Sequence, residues 1–352
     1  MSKLLPFLFL LFALLASCAE KPGAPTAPPD SGQKINDTLY LPVLPALEAG
    51  LDEPSDVHVG REPFLYIADT GNDRIVMMDL AGRVVGASQR VRRPIAVAQD
   101  GLFNLLVAGE LDTTINGSDV TIGAVYRISL RESNHRIEQA PVRVAFAEPN
   151  RPDRRYTGIA VLPFNQYLVT RTGPLNTSPF DPDNAVLLIN SNDEFITPIS
   201  ALRPIGNALN SIGGLSGIST IGNSPDFVFT QTDSAMQYRA QWLHFFPDPI
   251  GDWGQKFNPA QTQNDFLTVG RFGRPEDITS DNFGNIYIVD AARDSVYKFT
   301  SQGIEVQSFG GSGIGPDRFS RPSGIAFFDR TLYVADTGNN RILRFRLSTE
   351  LQ

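Results

Sequence analysis

The chain holds three histidines, one cysteine and 38 acidic residues, so acid–base or metal chemistry must rest on few imidazoles and on carboxylates. Asp56 and His58 lie two residues apart in the segment PSDVHV, and side chains at that spacing on an extended strand share a face. A second segment of the same cast, PEDITS, puts Asp277 where the first has Asp56. If both strands face one cavity, Asp56, His58 and Asp277 could hold a hard divalent cation such as calcium, which takes oxygen ligands. The plainer reading is that Asp56 and Asp277 cap strand starts or pair with nearby arginines. His135 and His244 fall in unrelated segments, and no nucleophile elbow, phosphate loop or H-E-x-x-H helix occurs. No residue is therefore assigned a catalytic role, no cofactor is expected beyond that alternative cation, and the chain reads as a non-enzyme.

Arginine supplies a second kind of chemistry. Lysine appears only at positions 3, 21, 34, 256 and 298, so 25 of the 30 basic residues are arginine. Eleven of them crowd five short segments: QRVRRP, NRPDRRY, ALRP, GRFGRP and DRFSRP. Guanidinium groups present planar, bidentate donors suited to carboxylate, sulfate or phosphate. Arg92, Arg93, Arg154 and Arg155 are expected to face a ligand, and the alternative is that such residues are ion-pair partners of aspartates like Asp69, Asp290 and Asp336. The net charge of −8 and a pI near 5.0 argue against non-specific nucleic-acid binding.

The elements that must position these residues repeat along the chain. PSDVHV leads to LYIADTGNDRIVMMD, PSGIAF to LYVADTGNNRILRFR, and PEDITS to IYIVDAARDSVYKF. Weaker copies start at Pro94, Tyr156 and Leu215. Each unit parses into short strands rich in β-branched and aromatic residues, with Asp-Thr-Gly-Asn supplying a turn, and none shows sustained helical periodicity. Glycine and proline make up 56 of 352 residues, as a turn-dense chain requires. Self-similarity at this period marks a propeller or solenoid.

These segments resemble the NHL repeat, whose hallmark is P-x-G-I-A followed by L-Y-V-A-D-x-x-N-x-R-I. The resemblance covers roughly residues 39–347 and implies an all-β, six-bladed β-propeller of four-stranded antiparallel blades. The last unit has three strands before the chain ends, so residues 39–45 (LYLPVLP) are expected to add its outer strand and close the ring. In this fold the arginine-rich segments and the long loops 109–123, 172–184 and 231–237 open on one face.

Ahead of the propeller, residues 1–17 pair one early lysine with an apolar run and end on small residues, as a cleaved signal peptide does. The run meets Leu15-Ala16-Ser17-Cys18, which resembles the bacterial lipobox; that resemblance implies lipidation of Cys18 after cleavage. Residues 18–38, with four prolines, read as a semi-extended tether reaching ~60 Å at ~3.1 Å per residue. The domain plan is thus 1–17 signal, 18–38 tether and 39–352 propeller. The expectation is a cell-envelope lipoprotein, in the outer membrane if the host is Gram-negative, with a membrane-bound, monomeric ring. Its expected function is to bind an envelope protein or anionic glycan, not nucleic acid, through the arginine-rich face; the alternative is a metal-assisted hydrolase or lyase at the channel mouth.

Overall fold

In the computed structural model, residues 39–178, 180–247, 251–261 and 264–350 are described. The signal, tether and Cys18 expectations lie outside them. The described residues form six four-stranded antiparallel sheets, joined by turns and short 3-10 segments. The all-β, six-bladed expectation holds.

Blade 1 runs outward through Pro54–Val59, Phe64–Asp69, Arg74–Asp79 and Val84–Ala87, and blade 2 through Ala96–Gln99, Leu105–Ile115, Ser118–Ile128 and Val142–Ala147. Blade 3 comprises Arg155–Val161, Tyr167–Thr172, Ala185–Ile189 and Phe195–Pro198. Blade 4 comprises Leu215–Thr220, Phe227–Gln231, Ala240–Phe246 and Asp252–Gln255. Blade 5 is Pro275–Ser280, Ile286–Asp290, Ser295–Phe299 and Glu305–Gly310. Blade 6 takes Gly324–Phe328, Thr331–Asp336 and Arg341–Leu347 from the end of the chain and Tyr40–Leu47 from the beginning. Tyr40 pairs with Leu347 and Leu47 with Ile342. The closing strand is therefore real and runs two residues past the expected stretch, ending on buried Leu47. Closure hides an outer edge that would otherwise be open to pairing.

The apolar core lies between blades rather than at the centre. Leu65, Ile67 and Val76 of blade 1 pack with Tyr333, Ala335 and Ile342 of blade 6. Leu106 and Ala108 of blade 2 meet Tyr167 and Val169 of blade 3 in the same way. Such interleaving buries both faces of each sheet, which is why successive strand residues such as 65–69 are all buried.

The repeat's polar signature closes the turn between second and third strands in blades 1 and 6. Asp336 is fully buried and accepts from Ser320 N (2.7 Å), Asn339 Nδ2 (2.9 Å) and Arg341 Nε (2.8 Å). Asp69 does the same with Asp52 N, Asn72 and Arg74. The D-x-x-N-x-R spacing is thus a fully satisfied buried network, whose carboxylate would be costly to leave unpaired. Hydroxyls beside it latch neighbouring blades: Thr70 Oγ1 donates to Pro94 O (2.6 Å), Ser216 Oγ to Pro275 O (2.8 Å), and Ser323 Oγ to Ser55 O (2.7 Å).

Candidate functional site

The six inner strands enclose a cavity of about 590 Å³ that runs from Ser55, Thr157 and Ser323 at one end to Arg61, Pro163 and Asn223 at the other. The first end lies on the rim face, where loops lead into the inner strands; the second lies on the turn face, where inner strands fold back into second strands. Val, Ile and Ala supply 13 of the 33 lining residues, and the ionisable side chains among the rest are Asp56, His58, Arg61, Glu276 and Asp277.

Glycine permits the inner strands to approach closely. A Cβ at Gly324 would stand 2.5 Å from Asp56 Cα, and one at Gly217 would stand 2.5 Å from Asp277 Cα. Blades 1 and 5 put aspartate at this repeat position. Each reaches across to the next blade: Asp56 Oδ2 accepts from Val97 N (2.7 Å) and its Oδ1 from Val57 N (2.7 Å), while Asp277 Oδ2 accepts from Ile325 N (2.9 Å). The aspartates are inter-blade ties, not arginine partners, and both line the cavity.

Among the described residues neither aspartate forms an ion pair with an arginine or lysine. Burial pushes the Asp56 carboxyl up to about 7, against the pull of its two N–H donors. Burial and the neighbouring Asp56 charge hold Asp277 well above the usual carboxylate range. Mutual repulsion of this kind keeps a proton on a carboxyl pair. His58, two residues along from Asp56, lines the same cavity. Burial drives its imidazole down to about 4, with Glu62 opposing and Arg61 adding to the shift, so at neutral pH it is an uncharged base. The wall thus presents a proton donor and proton acceptors to one enclosed volume, the equipment of general acid–base chemistry.

The three residues expected to hold a cation are gathered in one cavity, but not as a cage. Among the described residues no group of three or more His, Cys, Asp or Glu side chains could hold a metal ion, and both Asp56 oxygens are engaged by backbone N–H groups. Calcium takes six to eight oxygens, and this donor set falls short.

The arginine expectation is corrected more sharply. Arg154, placed among the ligand-facing residues, has a side chain only 3% exposed. It is caged by Glu148, Asp181 (2.7 Å) and Asp183 (2.9 Å). Burial works against the Asp183 charge, but Arg154, the Leu175 N–H and Arg151 together hold that carboxyl below its ordinary range. Arg92 pairs with Asp112 (2.9 Å) and Glu110 (3.4 Å), and Arg93 lies 3.9 Å from Glu110. Arg155 donates to Pro152 O, Arg154 O and Thr121 O. Arg154 is thus locked inside the protein, whereas the side chains of Arg92, Arg93 and Arg155 remain 37%, 60% and 37% exposed.

Residues 319–345 match the family model of the NHL repeat. No curated protein matches the chain. Among solved structures it is similar to a gluconolactonase from Xanthomonas campestris, at 12% identity and TM-score 0.60 over 90% of this chain and 92% of the other. A luciferin-regenerating enzyme gives 11% identity and TM-score 0.60 over 87% and 95%. The calcium-binding protein regucalcin from Agrobacterium tumefaciens gives 11% and 0.59 over 85% and 92%. At such identities the likeness is one of fold. The enzyme names that propellers of this fold carry, a lactonase and a regenerating enzyme, run against the expectation of a non-enzymatic binding scaffold, which is set aside. The chain folds as a six-bladed β-propeller and carries an NHL repeat in its last blade.

Proposed function

We propose that the protein is a hydrolase or lyase acting on a small polar molecule inside the channel. The observation that supports this reading is the pair Asp56 and Asp277, two buried carboxyls on one cavity wall, tied by backbone N–H groups and within reach of one another's charge, with the His58 imidazole two residues along from Asp56. The protonated carboxyl of the pair donates to a leaving oxygen. Its ionised partner, or His58, accepts the proton of water in hydrolysis, or of a carbon next to a carbonyl in elimination. Isoleucine and alanine walls exclude bulk water and strengthen each of these interactions. No step is routed through a metal ion, because the residues present do not form its cage. The test is a panel of lactones, esters and carbonyl-activated elimination substrates assayed with Asp56→Asn, Asp277→Asn and His58→Ala. The expected loss is ~10²–10⁴-fold in kcat for the responsive substrate, unaffected by EDTA. Variants that turn over at the unmodified rate would remove the channel from the chemistry.

We further infer that Cys18 carries the lipid that fixes the protein in the cell envelope. The support is the small-residue stretch ending at the chain's single cysteine, followed by a proline-rich tether. Cys18→Ser is expected to release the protein into the soluble fraction or leave its precursor uncut; unchanged fractionation counts against the anchor.

A further inference from the structure

The turn face carries large apolar side chains that nothing in the propeller covers. Phe164 is 92% exposed, Phe283 84% and Leu102 48%. All three sit at tips joining an inner strand to a second strand, in blades 3, 5 and 2. The tips are fixed, not loose. Asp100 Oδ1 accepts from Leu102 N and Asn104 N, and Asp281 Oδ1 accepts from Phe283 N and Asn285 N. Asn165 Oδ1 accepts from Gly101 N at 2.7 Å, so the tips bearing Leu102 and Phe164 stand side by side. Phe164 also has φ 62°, in the left-handed region that bulky residues avoid. An aromatic ring held in water on an unfavourable backbone costs stability twice.

The chain meets the propeller on that same face. The third strand of blade 6 runs from the rim face to the turn face and ends at Leu347, which pairs with Tyr40. Leu39 O accepts from Ser348 N at 2.7 Å. Residue 39 therefore lies at the turn face, and the 21 residues from Cys18 to Thr38 precede it. On the turn face ion pairs such as Arg83–Asp79 and Arg143–Asp193 lie at turns joining third to fourth strands. The rim face bears exposed apolar residues as well, among them Phe180 and Ile314, but close in sequence to ion pairs such as Arg151–Asp181 and Arg318–Asp317. Those pairs would have to be dehydrated to enter an apolar phase.

We propose that the turn face docks on the surface of the lipid bilayer that holds Cys18, with Leu102, Phe164 and Phe283 inserted at the headgroup–acyl boundary and the rim-face mouth of the channel pointing away. This rests on the lipid-anchor reading. A second weak apolar contact beside an acyl anchor is a common route to stable membrane residence.

A cysteine consumed by lipid leaves any introduced cysteine as a unique thiol. Asn282→Cys, at the blade 5 tip, and Ser118→Cys, at the tip of the long rim-face hairpin of blade 2, are each labelled with a polarity-sensitive dye. The lipidated chains are then reconstituted on phosphatidylethanolamine–phosphatidylglycerol vesicles. The dye at position 282 is expected to brighten several-fold and shift to the blue, the dye at 118 to stay unchanged, and the response at 282 to vanish with Phe164→Ser on protein that still floats with the vesicles. Floating protein whose dye at 282 stays dark overturns the docking alone. Protein that does not float overturns the anchor and the docking with it. A response on native envelopes that is absent on pure lipid assigns the face to a protein partner and likewise overturns the proposal.

Discussion

The rim and the channel wall are both built with charged side chains, and the propeller treats them in opposite ways. At the rim every carboxylate of the blade 3 cage has an arginine: Arg154, Arg151 and Arg171 interlace with Glu148, Asp181 and Asp183. On the channel wall Asp56 and Asp277 face one another's charge with only backbone N–H groups in support. Charge density alone would rank the rim as the functional surface. Pairing reverses the ranking, because a neutralised network has nothing left to give a ligand, whereas an unbalanced pair holds a proton it can trade.

The comparison is broken most severely at Arg154. Replacing it with alanine leaves Asp183 buried and Glu148 and Asp181 short of a partner, a loss of ~3–5 kcal/mol by the usual cost of halving a buried pair. Urea unfolding of Arg154→Ala reads this directly, and a change under ~1 kcal/mol would mean that the cage is not structural. For the same reason, a variant with Arg92, Arg93, Arg154 and Arg155 all changed to alanine is expected to lose at least as much stability, whereas purely ligand-facing arginines would leave the fold intact.

An intermediate effect is expected at the channel. Asp56 has a folded-state pKa raised above its unfolded value, so its contribution to stability is complete below about pH 4 and is lost as pH rises through about 7. His58 runs the other way: its folded pKa is depressed, so its contribution is complete above about 6.5 and is lost as pH falls through about 4. Above pH 6.5 the histidine is silent, and any fall in stability belongs to the carboxyls. Asp56→Asn is expected to flatten the stability profile of the wild type between pH 6.5 and 8; parallel profiles would show that the pair ionises normally.

The smallest effect is expected at Arg90, whose pair with Asp73 is exposed to solvent (2.9 Å). Arg90→Ala should change stability by no more than ~1 kcal/mol, with even that lost at high salt. A larger loss would place Arg90 inside the rim network rather than at its edge.

Much of this fold is legible in the residues. The D-x-x-N-x-R spacing marks Asp69 and Asp336 as turn-closing carboxylates because two of their three donors, an Asn and an Arg, lie within five residues. The closing strand is legible too, since a blade with three strands demands a fourth. The channel aspartates are half legible: they occupy the position that Gly158, Gly217 and Gly324 hold in other blades, and a departure from glycine at a crowded site is the available signal. What the sequence does not carry is pairing over distance. Asp181 and Asp183 sit in a loop some 27 to 29 residues from Arg154, with no periodicity to link them, so clustered arginines looked unpaired. Nor does spacing reveal that Asp56 and Asp277, 221 positions apart, feel one another's charge.

The central claim is that this pair keeps a proton near neutral pH, and infrared spectroscopy reads carboxyl protonation directly. Spectra of the folded protein between pH 5 and 8 should contain the stretch of a protonated carboxyl that fades only as pH passes about 7, and that band should be absent from the Asp56→Asn, Asp277→Asn double variant. If every carboxyl of the wild type is already ionised at pH 5, the channel holds two ordinary carboxylates and the acid–base account fails.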